Sequence, residues 1–212
     1  RCNLTNACDV RQFIEKVVTN KKFLFGAANR FSPSDCISFF ENDLGVKLKT
    51  ERGGRVFPAD DDAHTVANAL EQYALAHAKH IRSRVAAVEK RGDGFLIKTE
   101  DGGYIADGVL IATGGMSYPK TGSRGDGYVF AKALGHTVTP LRASLVPLLC
   151  AEDLCRDLQG LSLKNAGLKL LVEGVKPVYE EQGELLFTHF GVSGPLVLSA
   201  SAHLGDEAVK KA

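Results

Sequence analysis

The sequence predicts an α/β chain in which a helical region leads to a strand, an antiparallel meander and a return into a parallel sheet, followed by a mostly β part. Three observations predict it. Helix-capping residues stand ahead of apolar stripes in the first third of the chain. Two Gly/Asp turns then separate short strand-like runs between Ile81 and Ala106. Val109-Leu110-Ile111-Ala112 follows as an unbroken apolar run, the pattern of a strand covered on both faces.

Each element has its own signal. Asp9 with Gln12 forms a capping box before Val10, Phe13, Ile14, Val17 and Val18, one apolar stripe at helical spacing. Phe23–Phe31 reads as a short packed connector. Ser32 is an N-cap with Pro33 at the first helical position; Ile37, Phe40 and Leu44 face inward and Gly45 stops the helix. A third helix is expected from about Asp61 to His77, burying Ala63, Val66, Ala67, Leu70 and Ala74 against a sheet. Ile81–Val88 is then a strand, Gly92-Asp93-Gly94 a turn, Phe95–Thr99 a strand, Asp101-Gly102-Gly103 a turn, and Tyr104–Ala106 pairs back. This meander takes the place of the helix in a plain βαβ crossover. A Gly, Ser and Pro-rich loop covers Ser117–Gly127, and a helix from about Asp126 to Leu134 stops at Gly135. Beyond Thr137, Val138, Leu145-Val146, Leu168–Val172 and Leu185–Phe187 are short strand candidates of a second, mostly β unit.

Composition narrows the function. The 212 residues hold 26 basic and 25 acidic side chains, a net of +1, so no bulk basic charge drives binding to nucleic acid or an anionic membrane. Hydrophobic content of 44% and charged content of 24% exclude wholesale disorder. Cys2, Cys8, Cys36, Cys150 and Cys155 are an odd, dispersed set without CxxC spacing, which predicts neither a disulfide framework nor a metal site. No apolar run reaches the ~20 residues of a membrane span. Asn3-Leu4-Thr5 is a sequon only in form, because no secretory signal accompanies it. The expectation is a soluble, reduced, cytoplasmic protein acting on a small molecule. Its opening, Arg1-Cys2-Asn3, and a single methionine, Met116, suggest a piece of something longer.

Several segments have chemical potential, and each has a plainer explanation beside it. Ala112-Thr113-Gly114-Gly115 follows the buried run, where ligands of open α/β sheets lie; an ordinary strand-to-loop turn has the same residues. Gly122–Gly127 satisfies GxGxxG in form but follows no strand, so a loop or helix entry explains it better. Arg1–Asn6 is a polar stretch before a helix, with a capping loop as its structural reading. In Arg52-Gly53-Gly54-Arg55-Val56-Phe57-Pro58 the arginines suit anionic or carbonyl oxygens and the phenyl suits a flat ring, although a tight turn with solvated arginines also fits. Thr188–Pro195 fails as a nucleophile elbow: Pro195 stands where GxSxG needs its second glycine, and Ser193 follows no clear strand-to-helix turn. His189 suits a proton donor or ring contact, with a structural histidine as the commoner outcome.

Taken in order, Arg1–Asn6, Glu51–Pro58, Ala112–Gly115 with Ser117-Tyr118-Pro119, Thr121–Gly127 and Leu186–Pro195 resemble the bacterial flavoproteins called HI0933-like or BaiN-like NAD(P)/FAD-dependent oxidoreductases, a group that includes aminoacetone oxidases. The resemblance spans nearly the whole chain. It implies an FAD/NAD(P)-binding, Rossmann-like three-layer ββα domain in which the meander is a regular part. Residues 1–139 would be the central part of that domain and 140–212 the first part of an inserted β-rich domain. FAD would meet Arg1, Cys2, Asn3, Thr5, Arg55, Phe57, Val85, Ala112, Thr113, Gly114 and Gly115, with NAD(P)H as the electron donor and a small organic substrate or oxygen as the acceptor. Arg55 and His189 are the candidate catalytic side chains, and no metal is implied. By the same likeness, a strand–glycine loop–helix would precede Arg1 and a flavin-closing segment would follow Ala212. Because a helix N-terminus supplies the phosphate-binding donors, the 212-residue chain alone is expected to hold FAD weakly or not at all, with a non-catalytic fragment or binding module as the alternative reading.

Overall fold

The structure is a computed structural model that describes residues 2–171 and 177–204. It divides into two compact units, one holding Arg1–Tyr73 with Arg142–Ala212 and the other Ala74–Leu141.

In the first unit, β1 (Thr5–Asn6) is followed by α1 (Val10–Glu15), α2 (Lys21–Arg30) and α3 (Pro33–Ser38). The expected capping box at Asp9 and the expected N-cap at Ser32 both form, the latter also as a box. The Asp9 side chain accepts from the Gln12 amide and the Gln12 side chain returns to the Asp9 N–H. Ser32 and Asp35 reciprocate in the same way, with Pro33 leading the helix. These bonds satisfy first-turn donors that otherwise lack partners. α1 is shorter than its stripe, and Val18 lies beyond it, exposed. A five-residue π turn, Phe39–Asp43, continues α3, and Gly45 ends it at φ +66°.

The expected connector over Phe23–Phe31 is instead the ten-residue α2. It packs through Ala28, which is buried, and not through its phenyl rings: Phe23 is 85% exposed and Phe25 and Phe31 are also largely open to solvent. Its lysines, alanines and leucine are good helix formers, and Asn20 in the left-handed conformation starts the turn into it. Three phenylalanines in nine residues imitate the composition of a core segment.

The strands β2 (Leu48–Thr50) and β3 (Arg55–Pro58) pair antiparallel, and β1 flanks β3 on its other edge, giving the order β1-β3-β2. Between this sheet and α4 (Ala63–His77) lies the cluster of Phe40, Val46 and Val66, closed by Leu4, Cys36 and Ala69 among others. α4 therefore buries Val66 and Ala69 there, whereas the expected Ala67, Leu70 and Ala74 are exposed. The C-terminal part adds a four-stranded antiparallel sheet of β7 (Leu148–Leu149), β8 (Ser162–Leu170), β9 (Tyr179–Thr188) and β10 (Gly191–Ser193) in the order β7-β10-β9-β8. A short helix, α6 (Leu154–Asp157), lies between β7 and β8. Leu185 of β9 and Leu196, Val197 and Ala200 of α7 (Pro195–Ser201) form its buried side. Ser201, also buried, donates to the Leu198 carbonyl and accepts the Val146 amide. Of the expected strands here, Val138 and Leu145-Val146 are irregular, and Val172 lies outside the described residues.

In the second unit the meander is present as β4 (Val85–Arg91), β5 (Gly94–Thr99) and β6 (Gly102–Ala106), antiparallel and in sequence order. The first strand starts four residues later than Ile81. α5 (Asp126–Ala133) packs on β4, with Phe130 and Val88 buried and Gly135 at φ +88° just beyond its end. The expected parallel strand Val109–Ala112 is absent: residues 107–117 carry no regular structure and Leu110 is 91% exposed. A strand covered on both faces needs neighbours to accept its backbone bonds, and none lies alongside among the described residues.

Two substitutions separate the buried from the exposed apolar residues. Phe40→Ala should lose about 3–4 kcal/mol of stability, measured by urea unfolding followed by circular dichroism. Leu110→Ser should stay within about 0.5 kcal/mol. Equal costs at the two positions would contradict the exposure of 107–117.

Candidate functional site

The pairing of β1 with β3 joins two of the polar motifs. Thr5 stands opposite Val56 and Asn6 opposite Arg55, and the ladder extends through Leu4 N–H to Val56 O at 2.9 Å and Ala7 N–H to Gly54 O at 2.6 Å. The Asn3 amide nitrogen, set toward the Thr5 and Val56 carbonyls at 3.0 and 3.2 Å, ties the first residues to the same strand pair. Cys2 packs half-buried on the Phe40 cluster. Arg1 lies outside the described residues. Thus Asn3, Thr5, Arg55 and Phe57 share one small sheet, with Phe57 buried and the Arg55 guanidinium 5.8 Å from its ring centre.

The turn between β2 and β3 holds this arrangement. Gly53 and Gly54 both have left-handed backbones, at φ +78° and +74°. The Asn6 Nδ2 donates to Gly53 O at 2.7 Å, and a Cβ on Gly54 would stand 2.6 Å from Asn6 Oδ1. Only glycine fits both the conformation and the contact. Arg55 Nε donates to Arg52 O at 3.3 Å, and Arg52 Nη1 to Asn165 Oδ1 of β8 at 3.2 Å. Both arginines open onto a recess of about 250 Å³ whose other walls come from β9 and α7, including Glu181, Glu184 and Ser199.

A polar cluster adjoins that recess. The Tyr179 hydroxyl donates to Glu181 Oε2 at 2.5 Å, and Lys16 Nζ reaches Glu181 Oε1 at 3.5 Å. The Tyr179 hydroxyl and Lys16 ammonium hold the Glu181 carboxyl below its ordinary value, whereas burial and the neighbouring carboxylate push Tyr179 up to about 12. Nothing in the sequence analysis singled out Tyr179, Glu181, Asn165 or Ser199. One signal was available: Tyr179 and Glu181, two apart on a strand, share a face.

His189 sits in the tight connection between β9 and β10, exposed, its ring edge-on to Phe190 at 4.9 Å. It does not line the arginine recess. The neighbouring Ser193 does stand at the end of a strand before a helix, contrary to the expectation of no such turn. Yet it is the last strand residue, with Gly194 at the turn, so the serine is not on the sharp bend an elbow requires.

In the second unit, Val85 opens β4, half-buried and opposite Thr99. Gly114 is left-handed at φ +73° and packs near Ser123, while Gly115 lies near the Tyr128 hydroxyl. A Cβ at Gly127 would come within 2.7 Å of Thr113 Oγ1 and 2.9 Å of Ile111 Cγ2. The two glycine-rich segments are therefore one packed feature, and the formal GxGxxG is a helix entry preceded by a 3₁₀ turn at Pro119–Thr121. The amides of residues 107–117 make no main-chain hydrogen bond among the described residues and lie mostly at the surface. Free amides beside a left-handed glycine are what a nucleotide-type ligand needs from a loop, so Ala112–Gly115 fit an FAD contact. No group of three metal-ligating side chains and no helix long and apolar enough to cross a membrane occurs among the described residues.

Residues 1–200 match the family model of the HI0933-like protein Rossmann domain. The chain belongs to the HI0933-like family. It is 31% identical over 207 residues to a 3-dehydro-bile acid delta(4,6)-reductase of Clostridium scindens, covering 96% of this chain and 49% of that protein. It is 32% identical over 208 residues to a ribosomal RNA dihydrouridine synthase of Escherichia coli, covering 96% and 50%, and 30% identical over 190 residues to one from Haemophilus influenzae, covering 86% and 45%. The chain spans about half the length of these relatives. The Rossmann class inferred from the motifs is thereby that of the family.

Glu181 gives a pH test. Its lowered carboxyl contributes stability above the ordinary value of 4.5, lost as pH falls through its folded-state value. Tyr179 acts in the opposite sense, contributing below 10.0 and losing that contribution as pH rises through about 12. Glu181→Gln should cost at most about 1 kcal/mol at neutral pH, the pair being largely exposed. Thermal melts across pH should show this difference shrinking below pH 4.5; a constant difference would remove the ionic contribution.

Proposed function

We propose that the chain is the central part of an FAD-dependent oxidoreductase in which NAD(P)H is the donor and an organic substrate receives hydride at a carbon–carbon double bond conjugated with a carbonyl. Family membership carries this reading, together with what its relatives' activities share. Saturating a delta(4,6) bond of a 3-oxo steroid and forming dihydrouridine from uridine both reduce such a bond. Bound FAD supplies the hydride chemistry; the protein supplies binding, orientation and electrostatics. Asn3, Thr5, Arg55 and Phe57 would line one part of the flavin site from the β1–β3 sheet. Val85 and Ala112–Gly115 would offer backbone contacts, the free amides of the latter suiting nucleotide oxygens. Arg55 suits a substrate or flavin oxygen, and exposed His189 is available to move a proton.

A second reading concerns the acceptor. Two relatives act on ribosomal RNA, so a uridine in RNA stands beside a small steroid-like enone as substrate. The near-neutral net charge of +1 favours the small molecule, because it provides no general attraction to RNA phosphates.

Purified whole protein should retain flavin through gel filtration, and anaerobic NADH or NADPH should bleach its long-wavelength absorbance. Gly114→Val, which forces a branched side chain onto a left-handed backbone, should lower flavin retention about tenfold. Reoxidation of the reduced protein by a steroid enone, or dihydrouridine lost from ribosomal RNA when its gene is deleted, distinguishes the acceptors. Whole protein that neither holds flavin nor is reduced would leave a non-catalytic binding module.

A further inference from the structure

We propose that the recess between the Arg52–Arg55 turn, β9 and α7 is a substrate-anchoring subsite for an oxyanion, a carboxylate or phosphate carried by the molecule that is reduced. The inference rests on the oxidoreductase reading for the word substrate; the binding of an oxyanion does not.

Four observations lead there. First, the turn is built in one conformation: two left-handed glycines, the Asn6 bond to Gly53 O, and the 2.6 Å approach that admits no side chain at Gly54. A turn held this firmly presents its arginines without a backbone ordering cost at binding. Second, neither Arg52 nor Arg55 has a carboxylate within ion-pair distance among the described residues. Each is instead oriented by a neutral acceptor: Arg52 Nη1 by the Asn165 amide, Arg55 Nε by the Arg52 carbonyl. The Nη atoms of Arg55 are left as a fork, the geometry that grips two oxygens of one anion. Third, the same recess has Ser199 on its α7 wall, its hydroxyl hydrogen-bonded to Tyr179, so the arginines are the ligand donors there.

The fourth observation concerns the two carboxylates on the β9 wall. Glu181 is already committed, one oxygen to Tyr179 and the other toward Lys16, so its charge is offset at its own position. Glu184 is exposed and can turn to water. With Lys16 beside Glu181, two guanidiniums in the recess face one carboxylate without a cation beside it among the described residues, that of Glu184, which leaves the balance positive. A volume of about 250 Å³ takes an anionic group and a few attached atoms, not a whole steroid or nucleotide, which is why the recess serves an end of the substrate.

The chemistry is common to a steroid acid and to a nucleotide, so paired ligands test it. Calorimetry on the whole protein compares cholate with its neutral methyl ester, and uridine 5′-monophosphate with uridine. In at least one pair the charged member should bind about tenfold or more tightly, the worth of a charge-assisted bidentate contact. In Arg52→Gln, on an exposed side chain outside the flavin contacts, that advantage should fall about threefold or more while the neutral member binds as before; Arg52→Lys should restore only part of it. Preference in the cholate pair assigns a carboxylate, and in the uridine pair a phosphate. No charged advantage in either pair, or one that survives undiminished in Arg52→Gln with an unchanged melting curve, overturns the subsite. Should Arg52→Gln melt early, Arg52→Lys, which keeps the charge and loses the fork, gives the same comparison. Flavin absorbance recorded on the same samples separates this outcome from failure of the oxidoreductase reading.

Discussion

The short ladder between β1 and β3 is the constraint on which the rest of the first unit depends. It consists of two paired residues and two flanking bonds, yet it fixes where the N-terminal polar motif meets the arginine motif. Strands this short hold little by themselves. What holds them is the closure at each end: Asn6 clasping the Gly53–Gly54 turn, and Leu4 and Cys2 resting on the Phe40–Val46–Val66 cluster. Burial of Val56, Phe57 and Pro58 on the central strand makes that closure one-sided, with the opposite edge paired to β2. The arginines at the turn are consequently carried by a rigid support, although they lie at the surface.

How much of this was legible depends on how local each signal is. The capping boxes at Asp9–Gln12 and Ser32–Asp35, the meander turns at Gly92 and Gly102, and the stop at Gly135 all lie within a few residues of what they control, and the structure holds each of them. Val109–Ala112 was misread because a buried parallel strand is defined by neighbours, which periodicity cannot supply. α2 was misread because its phenylalanines carry the composition of a core while its backbone preference is helical. The recess was invisible for a related reason. Asn165, Glu181 and Ser199 come from three elements more than a hundred residues beyond Arg52, and only the fold brings them together. By contrast, Gly114-Gly115 and Gly125–Gly127 were each legible as loops, and their mutual packing was not.

Relatives with such different substrates as a steroid and a ribosomal RNA are each about a third identical to this chain over the half of their length that it matches. The reduction proposed for this chain asks only that a flat conjugated bond lie against a flat ring, so one frame would serve both. Recognition of the remainder of the substrate would then fall to residues outside the flavin contacts. On this chain Arg52 and the β9 and α7 wall it faces are such residues. Glu181 is the most informative of them. By engaging Tyr179 and Lys16 it sets a cation beside its own charge, whereas the same carboxylate alone would offset an arginine. The anion subsite proposed for this wall therefore depends on contacts made behind it, which a count of two positive and two negative side chains would miss.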